Sequence, residues 1–487
     1  MGHEIEDIEG GEAAAERLAK GVPLRDALAV ADPRAWLALD AGVREVDWYR
    51  YRPGHLPGPR WEHAAPLPVD PASLDEPRLA LALCHRDGRM RERALRRAAA
   101  HPGLLPLMVI RAADWAEPVR ERARGLLRPL LDADTAVALA PLILLVGRRE
   151  RGAAAVGLLE EVLRTVPRER LAPLLGHADR TVRRFSHRLA IEVALLSPAE
   201  LARTAARDED AVVQTLCGEA ALGTAAANGH GPDGHSPDED VLAPLLGARS
   251  PRVRAIGVTA LRRAGRLDRA EGFLADRSAL VRACARYVVR QHGTDPLPWY
   301  RRRCTEADDP ALPPGAAIGL AECGERADAA LLWPLLAHPS PAVRARAVAG
   351  LRALDVTDVP RLLPLLDDPA PGVVREATEA LLPSARSLDE ERLAAGLAAD
   401  RPRHVRVASF RLLEACGGLV RLRAAVALLE DPDDRLRSWA GQSVQGWHPT
   451  FEVPLGAAEV GELLERARRL FSDHVLKRRA WEAGLDR

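Results

Sequence analysis

Arginine at a regular spacing is the chemistry this sequence offers. Arg91, Arg120, Arg151, Arg183, Arg254, Arg282, Arg344, Arg375, Arg406 and Arg437 each follow an opening position that is apolar in all but one case, where it is Glu150. A guanidinium is a planar, permanently charged fork that grips a phosphate or carboxylate through two parallel N–H bonds. Lined up along a groove, such forks would make a phosphate track. Placed between stacked units, they would bond the preceding turn or the next unit's carboxylate, and this structural role is the one expected for the ladder. Further arginines at 122, 124, 184, 188, 262, 263, 286, 290, 346 and 411 stand on the same segments, but Glu92, Glu121, Glu376 and Glu379 accompany them. Lys20 and Lys477 are the only lysines among 69 basic residues, leaving 67 arginines. That bias, with abundant Ala, Gly and Pro, resembles a GC-rich bacterial genome and gives a compositional reason for any single arginine.

A second concentration of chemistry lies in "VDWYRYRPGHLPGPRWEHAAP", residues 46–66. Trp48, Tyr49, Tyr51 and Trp61 alternate there with Arg50, Arg52 and Arg60. Aromatic and Arg side chains are enriched where proteins grip one another, so Trp48, Tyr49, Arg50, Tyr51, Arg52, Arg60 and Trp61 are the partner-binding candidates. The competing role is a strap laid over the first repeat's core. His230 and His235, with Asp233, Asp238, Glu239 and Asp240, sit in "AANGHGPDGHSPDED", whose Gly, Asn, Asp and Pro make a loop. Their spacing matches no metal-ligand motif, and no metal is expected. The six cysteines, 84, 217, 284, 304, 323 and 416, form no C-x-x-C pair. No G-x-S-x-G, H-E-x-x-H or phosphate-binding glycine loop is present. Asp367-Asp368 and Asp433-Asp434 are expected in turns and caps. The chain is therefore expected to be non-enzymatic and without a cofactor.

The elements that carry these residues repeat. Leu312, Val343, Val374, Val405 and Leu436 are spaced by 31 residues, and each is followed by a small residue at +4 and an apolar one at +8. Positions i, i+4 and i+8 share one helix face, and the small residue lets a neighbouring helix axis come close. A second apolar stretch, such as "RLLPLLDDP", runs about ten residues upstream of each opening residue, with a turn rich in Asp, Pro and Ser between. Ser340-Pro341 has an N-cap residue before Pro at the first helical position. Each unit thus predicts a helix, a tight turn and a second helix. From Met90 to Leu436 eleven steps cover 346 residues. One hairpin cannot bury its apolar faces alone, but stacked hairpins bury a continuous core.

The units "LLPLLDDPAPGVVREATEALL" and "PLLAHPSPAVRARAVAGL" resemble short HEAT-like repeats of the phycobilisome-lyase type. The resemblance covers residues 78–445 and implies an all-α fold, an α-solenoid: a right-handed superhelix of about twelve helical hairpins with N-terminal and C-terminal caps. The expected organisation is a disordered 1–12, an atypical helical cap and Pro/aromatic strap over 13–77, the solenoid over 78–445, and capping helices over 446–487. The expected function is a non-enzymatic protein-protein scaffold or adaptor that holds its partner in the concave groove. Nucleic-acid binding in an Arg-lined groove, as in HEAT-like DNA glycosylases, is the alternative, and a bilin-lyase-like or chaperone-like subunit the next. Zero formal net charge gives no global pull towards nucleic acid or anionic membrane. An acidic, polar start and the lack of any long apolar run predict a cytoplasmic protein.

Overall fold

The computed structural model describes residues 2–44, 61–62, 66–68, 73–227 and 239–485. Among them every regular element is helical and there is no strand. The chain divides into two compact units. The first comprises Met1–Gly234 with Asp238–Arg249, the second His235–Pro237 with Ser250–Arg487.

The first unit opens with α1 (Gly2–Ala19), α2 (Leu24–Ala27) and α3 (Pro33–Gly42). It then alternates first and second helices of hairpins: α4 (Glu76–Cys84), α5 (Gly88–Ala98), α6 (Leu105–Arg111), α7 (Glu117–Leu130), α8 (Ala133–Val146), α9 (Ala153–Leu163), α10 (Arg168–Leu175), α11 (Arg180–Glu192), α12 (Pro198–Arg207), α13 (Ala211–Ala227) and α14 (Glu239–Leu246). The second unit continues with α15 (Pro251–Ala260), α16 (Leu267–Glu271), α17 (Ala279–Gln291), α18 (Leu297–Thr305), α19 (Pro314–Cys323), α20 (Ala329–Leu332), α21 (Pro341–Ala353), α22 (Val359–Leu362), α23 (Pro371–Leu381), α24 (Glu390–Ala395), α25 (Arg403–Cys416), α26 (Gly418–Ala427) and α27 (Asp434–Gln445), and ends with α28 (Ala458–Arg466) and α29 (Asp473–Glu482). Within each unit, helices touch their hairpin partner and the equivalent helix one repeat on. First helices meet as α6 on α8 and α12 on α14, and second helices as α5 on α7, α15 on α17 and α19 through α25 in series. That is the contact pattern of an α-solenoid.

The sequence pattern shows why the helices stack this way. Val343, Ala347 and Leu351 on α21 are fully buried, as are Ala94, Ala123, Cys217, Ala285 and Ala316 in the small slot of other repeats. Each fully buried Val or Leu contributes roughly 1.5–3 kcal/mol. Polar residues in that slot are satisfied locally: Ser186 Oγ donates to the Leu174 carbonyl at 2.9 Å, and Thr378 Oγ1 to the Val374 carbonyl at 2.7 Å. The slot must be small because backbones pass close by. At Gly396 a Cβ would stand 2.1 Å from Ser409 Oγ.

Three expectations change. Residues 2–12, expected to be disordered, belong to α1. A glycine contact docks the helix: a Cβ on Gly11 would lie 1.9 Å from the Ala38 carbonyl oxygen, and one on Gly42 2.4 Å from the Glu12 nitrogen. The third repeat takes another frame. Ala155, Leu159 and Leu163 are fully buried while Glu150 and Ala154 are not, and Arg151 lies before α9 rather than at its fourth position. Ser340 occupies the N-cap of α21, but its hydroxyl makes no capping bond. Instead the Ser340 N–H donates to His338 Nδ1 at 2.9 Å. His85 and His177 accept the N–H of Asp87 and Asp179 in the same way.

A buried charge cluster joins the N-terminal helices to the stack. Asp40 of α3 accepts from Arg44 at 2.7 Å and from Arg111 of α6, and Arg111 and Arg91 both bond Asp114. Burial pushes the Asp40 carboxyl above its ordinary value, with the arginines opposing.

Candidate functional site

The ladder arginines stand at one place in the helices. Arg91, Arg120, Arg183, Arg254, Arg282, Arg344, Arg406 and Arg437 are each the fourth residue of the second helix of a hairpin, and Arg375 is the fifth. From there the guanidinium turns back to the hairpin's own turn. Arg91 Nη1 donates to the carbonyls of His85 and Arg86 at 2.8 and 3.0 Å, Arg183 to His177 and Ala178 at 2.8 and 3.0 Å, and Arg344 to His338 and Pro339 at 2.9 and 3.2 Å. Arg120 and Arg282 reach the carbonyls of Asp114 and Asp276. The fifth repeat has Gln214 in place of arginine, and its Nε2 makes the same bond, to the Asp208 carbonyl at 2.6 Å.

The other edge of the fork reaches the next repeat. Arg91 grips Asp114 at 2.9 and 2.7 Å, Arg183 Asp208 at 3.0 and 3.3 Å, Arg254 Asp276 at 2.9 and 2.8 Å, and Arg344 Asp368 at 2.8 Å twice. Arg406 pairs with Asp431, and Arg282 takes Glu322 of α19. Each of these aspartates also accepts the backbone N–H two residues on, at Ala116, Asp210, Ser278, Ala370 and Asp433. One guanidinium thus closes its own turn and clamps the next. Burial would raise the carboxyls of Asp276 and Asp368, but the bonds from Arg254 and Arg344, the backbone N–H bonds and the nearby positive charge together outweigh it and hold both below the usual range. Arg151 and Arg375 stand apart from the device. They are exposed and pair with their sequence neighbours Glu150 and Glu376.

Six of the ten further arginines meet carboxylates. Arg122 meets Glu92 at 3.2 Å, Arg188 meets Glu160 at 3.1 Å, Arg286 meets Glu322 at 2.7 Å, and Arg411 meets Glu379 at 2.5 Å. Arg184 bonds Asp210 with both fork nitrogens, and that bond holds the Asp210 carboxyl down to about 2. Arg124 pairs with Glu121 on its own helix. Arg262, Arg263, Arg290 and Arg346 remain exposed. Arg89, Arg96, Arg97, Arg180, Arg252 and Arg435 of other second helices are exposed as well.

Of the aromatic segment, Trp48, Tyr49, Arg50, Tyr51, Arg52 and Arg60 lie outside the described residues, as do His230, His235, Asp233 and Asp238 of the long loop. Trp61 is described and is 2% exposed. Its indole N–H donates to the Val43 carbonyl at 3.3 Å, and its ring meets His85 edge-on at 6.5 Å. In this packing Trp61 is core, covered rather than offered to a partner. Among the described residues no group of three His, Cys, Asp or Glu could hold a metal ion.

Exposed apolar side chains appear elsewhere. On α17, Leu280 is 47% and Tyr287 46% exposed, seven residues apart along one line of the helix beside the core face of Val281, Ala285 and Val288. Trp115 is 65% exposed in the turn before α7, its ring 5.5 Å from the buried Arg91 guanidinium. In sequence the signal for α17 was an apolar residue on the face the repeat pattern leaves polar. Trp115 carried no signal beyond its type. A groove of about 800 Å³ in the first unit is lined by Leu24, Val30, Trp36, Leu105 and Leu139, with Glu76 at its edge.

Residues 297–383 match the family of HEAT repeats. Among solved structures the chain is similar to Kap121p bound to RanGTP, at 14% identity and TM-score 0.33 over 84% of this chain and 51% of that one. It is similar to the Kap95:Nup1 complex at 14% identity and TM-score 0.28, over 96% and 71%. It also resembles a tumor overexpressed gene (TOG) domain array of microtubule polymerases at 12% identity and TM-score 0.23, over 75% and 99%. The chain spans about half the length of the Kap121p chains it matches. No curated protein matches it.

Proposed function

We propose that this chain of HEAT repeats is a non-enzymatic scaffold or adaptor that binds a protein partner in the cytoplasm along the exposed faces of its second helices. The observation that carries the reading is the disposition of charge. Arginines that a phosphate track would need are engaged by turn carbonyls, by aspartates of the next repeat and by glutamates of neighbouring helices. Phosphate binding draws its strength from the number of cations free to neutralise phosphates, and every arginine so engaged is withheld from that number. Leu280 and Tyr287 remain in water on α17. Aromatic and aliphatic anchors surrounded by compensated charge suit a protein interface, where a few side chains carry most of the energy. The segment from Trp48 to Arg60 is proposed as a further contact.

The test is affinity capture by the tagged full chain from its native host, with and without nuclease, in parallel with the doubly substituted Leu280→Ser, Tyr287→Ala chain. A stoichiometric protein that survives nuclease and falls by ~10–100-fold with the double substitution, the range of a hot-spot loss, supports the reading. Recovery of nucleic acid, with binding that declines steeply in salt and ignores the substitution, refutes it.

A further inference from the structure

A groove of about 490 Å³ in the first unit is walled by residues of α10, α11 and α12. Its carboxylates are already taken. Glu200 accepts from Arg168 at 2.5 Å and closes the N-terminus of α12 with Ser197, bonds that hold its carboxyl down to about 2. Asp208 is held by two nitrogens of the Arg183 fork, at 3.0 and 3.3 Å, and accepts the Asp210 N–H. The other two charges of the wall are Arg203 and Arg207, one turn apart on α12. Both are exposed, and neither meets a carboxylate among the described residues. Like charges at that spacing oppose each other on a helix. With Arg168 answered by Glu200, the groove keeps two positive charges that no described residue balances.

The same wall holds an acceptor without a donor. His187 of α11 lines the groove and is 4% exposed. Its Nδ1 bonds the Arg183 carbonyl at 2.9 Å. A carbonyl only accepts, so Nδ1 carries the proton. Burial lowers the pKa of the ring, which is therefore neutral at pH 7 and leaves Nε2 as a bare acceptor. No described residue donates to Nε2. The partnerless side-chain nitrogens sealed from water belong to Arg111, Arg406 and Arg479, so Nε2 of His187 is open, and the groove is what it opens on.

We propose that this groove binds a small phosphomonoester that also carries a hydroxyl or N–H group. Charge selects the phosphate. A phosphomonoester carries about −1.5 to −2 at pH 7, which answers both arginines, whereas a carboxylate would answer one. Each guanidinium fork can give two parallel N–H bonds to its oxygens. The bare Nε2 selects the rest of the molecule, because a hydroxyl or N–H donor satisfies it and a ligand without one leaves it unpaired. Leu175 and Leu196 offer apolar wall to a carbon skeleton. Size agrees, since small-molecule sites span ~300–1,000 Å³. The two arginines belong to a first helix, so this site and the protein contact proposed for the second helices stand or fall separately.

The experiment is isothermal titration calorimetry of the full chain with ribose 5-phosphate, glucose 6-phosphate and AMP, against inorganic phosphate and against ribose, glucose and adenosine. At least one phosphomonoester is expected to bind ~10-fold more tightly than inorganic phosphate, through the added hydrogen bond and apolar contact, and the unphosphorylated compounds are expected not to bind. Arg203→Gln and Arg207→Gln are each expected to weaken that binding ~10–100-fold, the scale of a lost hydrogen bond to a charged group, with an unchanged thermal melt; should one alter the melt, the other decides. His187→Asn keeps a donor for the Arg183 carbonyl but removes Nε2, and is expected to weaken the phosphomonoester ~10-fold while leaving inorganic phosphate unchanged. Phosphomonoesters that bind no better than inorganic phosphate, or binding that survives both arginine substitutions, overturn the inference. Unchanged affinity in a folded His187→Asn chain overturns the part assigned to the ring.

Discussion

Replacing Arg344 with alanine is expected to cost about 2–3 kcal/mol of stability in the repeats around α21 and α23, below the ~3–5 kcal/mol for breaking a fully buried ion pair. The reduction follows from geometry. The Arg344 and Asp368 side chains are 13% and 7% exposed, so water relieves part of the stranded charge. Asp368 also keeps the Ala370 N–H at 2.8 Å, whereas the His338 and Pro339 carbonyls lose their side-chain donor. Asp368→Ala alone is expected to cost about 2 kcal/mol, and the two changes together less than their sum, with a coupling of about 1–2 kcal/mol. Arg344→Lys keeps the charge but loses the two-pronged fork, and is expected to restore less than half of the loss. Solenoid repeats open locally, so the assay is a double-mutant cycle read by amide hydrogen exchange over residues 338–381, alongside chemical unfolding of the full chain. The pH dependence has a definite sign. Burial raises the Asp368 carboxyl, but Arg344 with the Ala370 N–H and the nearby His404 outweighs it and the folded value is depressed. The contribution is therefore present above the unfolded value near ~3.9 and is lost as pH falls through the folded one. The gap between the parent and Asp368→Asn should narrow below about pH 4. A coupling under about 0.5 kcal/mol would refute the clamp, since distant independent sites already add to within that figure.

Two other perturbations test the packing. Gly315→Ala would place a Cβ 2.0 Å from the Ala275 carbonyl oxygen. α19 must shift, and a loss of about 1–3 kcal/mol is expected; a melt unchanged from the parent would show that the close approach is unnecessary. Cys217 is fully buried, and burial pushes its thiol up to about 12. It should resist a thiol reagent at neutral pH in the folded protein and react on unfolding, which mass mapping of the labelled cysteine will report.

The hairpins, the small slot and the regular arginine were legible in the chain because each depends on local periodicity. Val343, Ala347 and Leu351 mark one helix face whatever surrounds them, and Ala, Ser, Thr or Cys at +4 declares a close neighbour before the neighbour is known. Register was legible only where the pattern is strong. "RRERGAAAVGLL" fits the repeat in two frames, and burial of Ala155 and Leu159 rather than Ala154 chose between them. A Ser-Pro start to α21 suggested a hydroxyl cap, but the turn is closed instead by the His338 ring. That depends on how the chain enters the helix, which spacing alone does not encode.

Sequence by itself therefore determined that this protein is a stack of α-helical hairpins, because the choice of helix and the burial of one face are set within a few residues. Only the tertiary structure decided which carboxylate each guanidinium meets, that Trp61 is packed inward, and that Phe451, Leu455 and Trp481 are left outside. Those outcomes hang on groups brought together from some twenty to forty residues away. Residue type states what a side chain is able to do, and packing between repeats decides whether a partner is within reach.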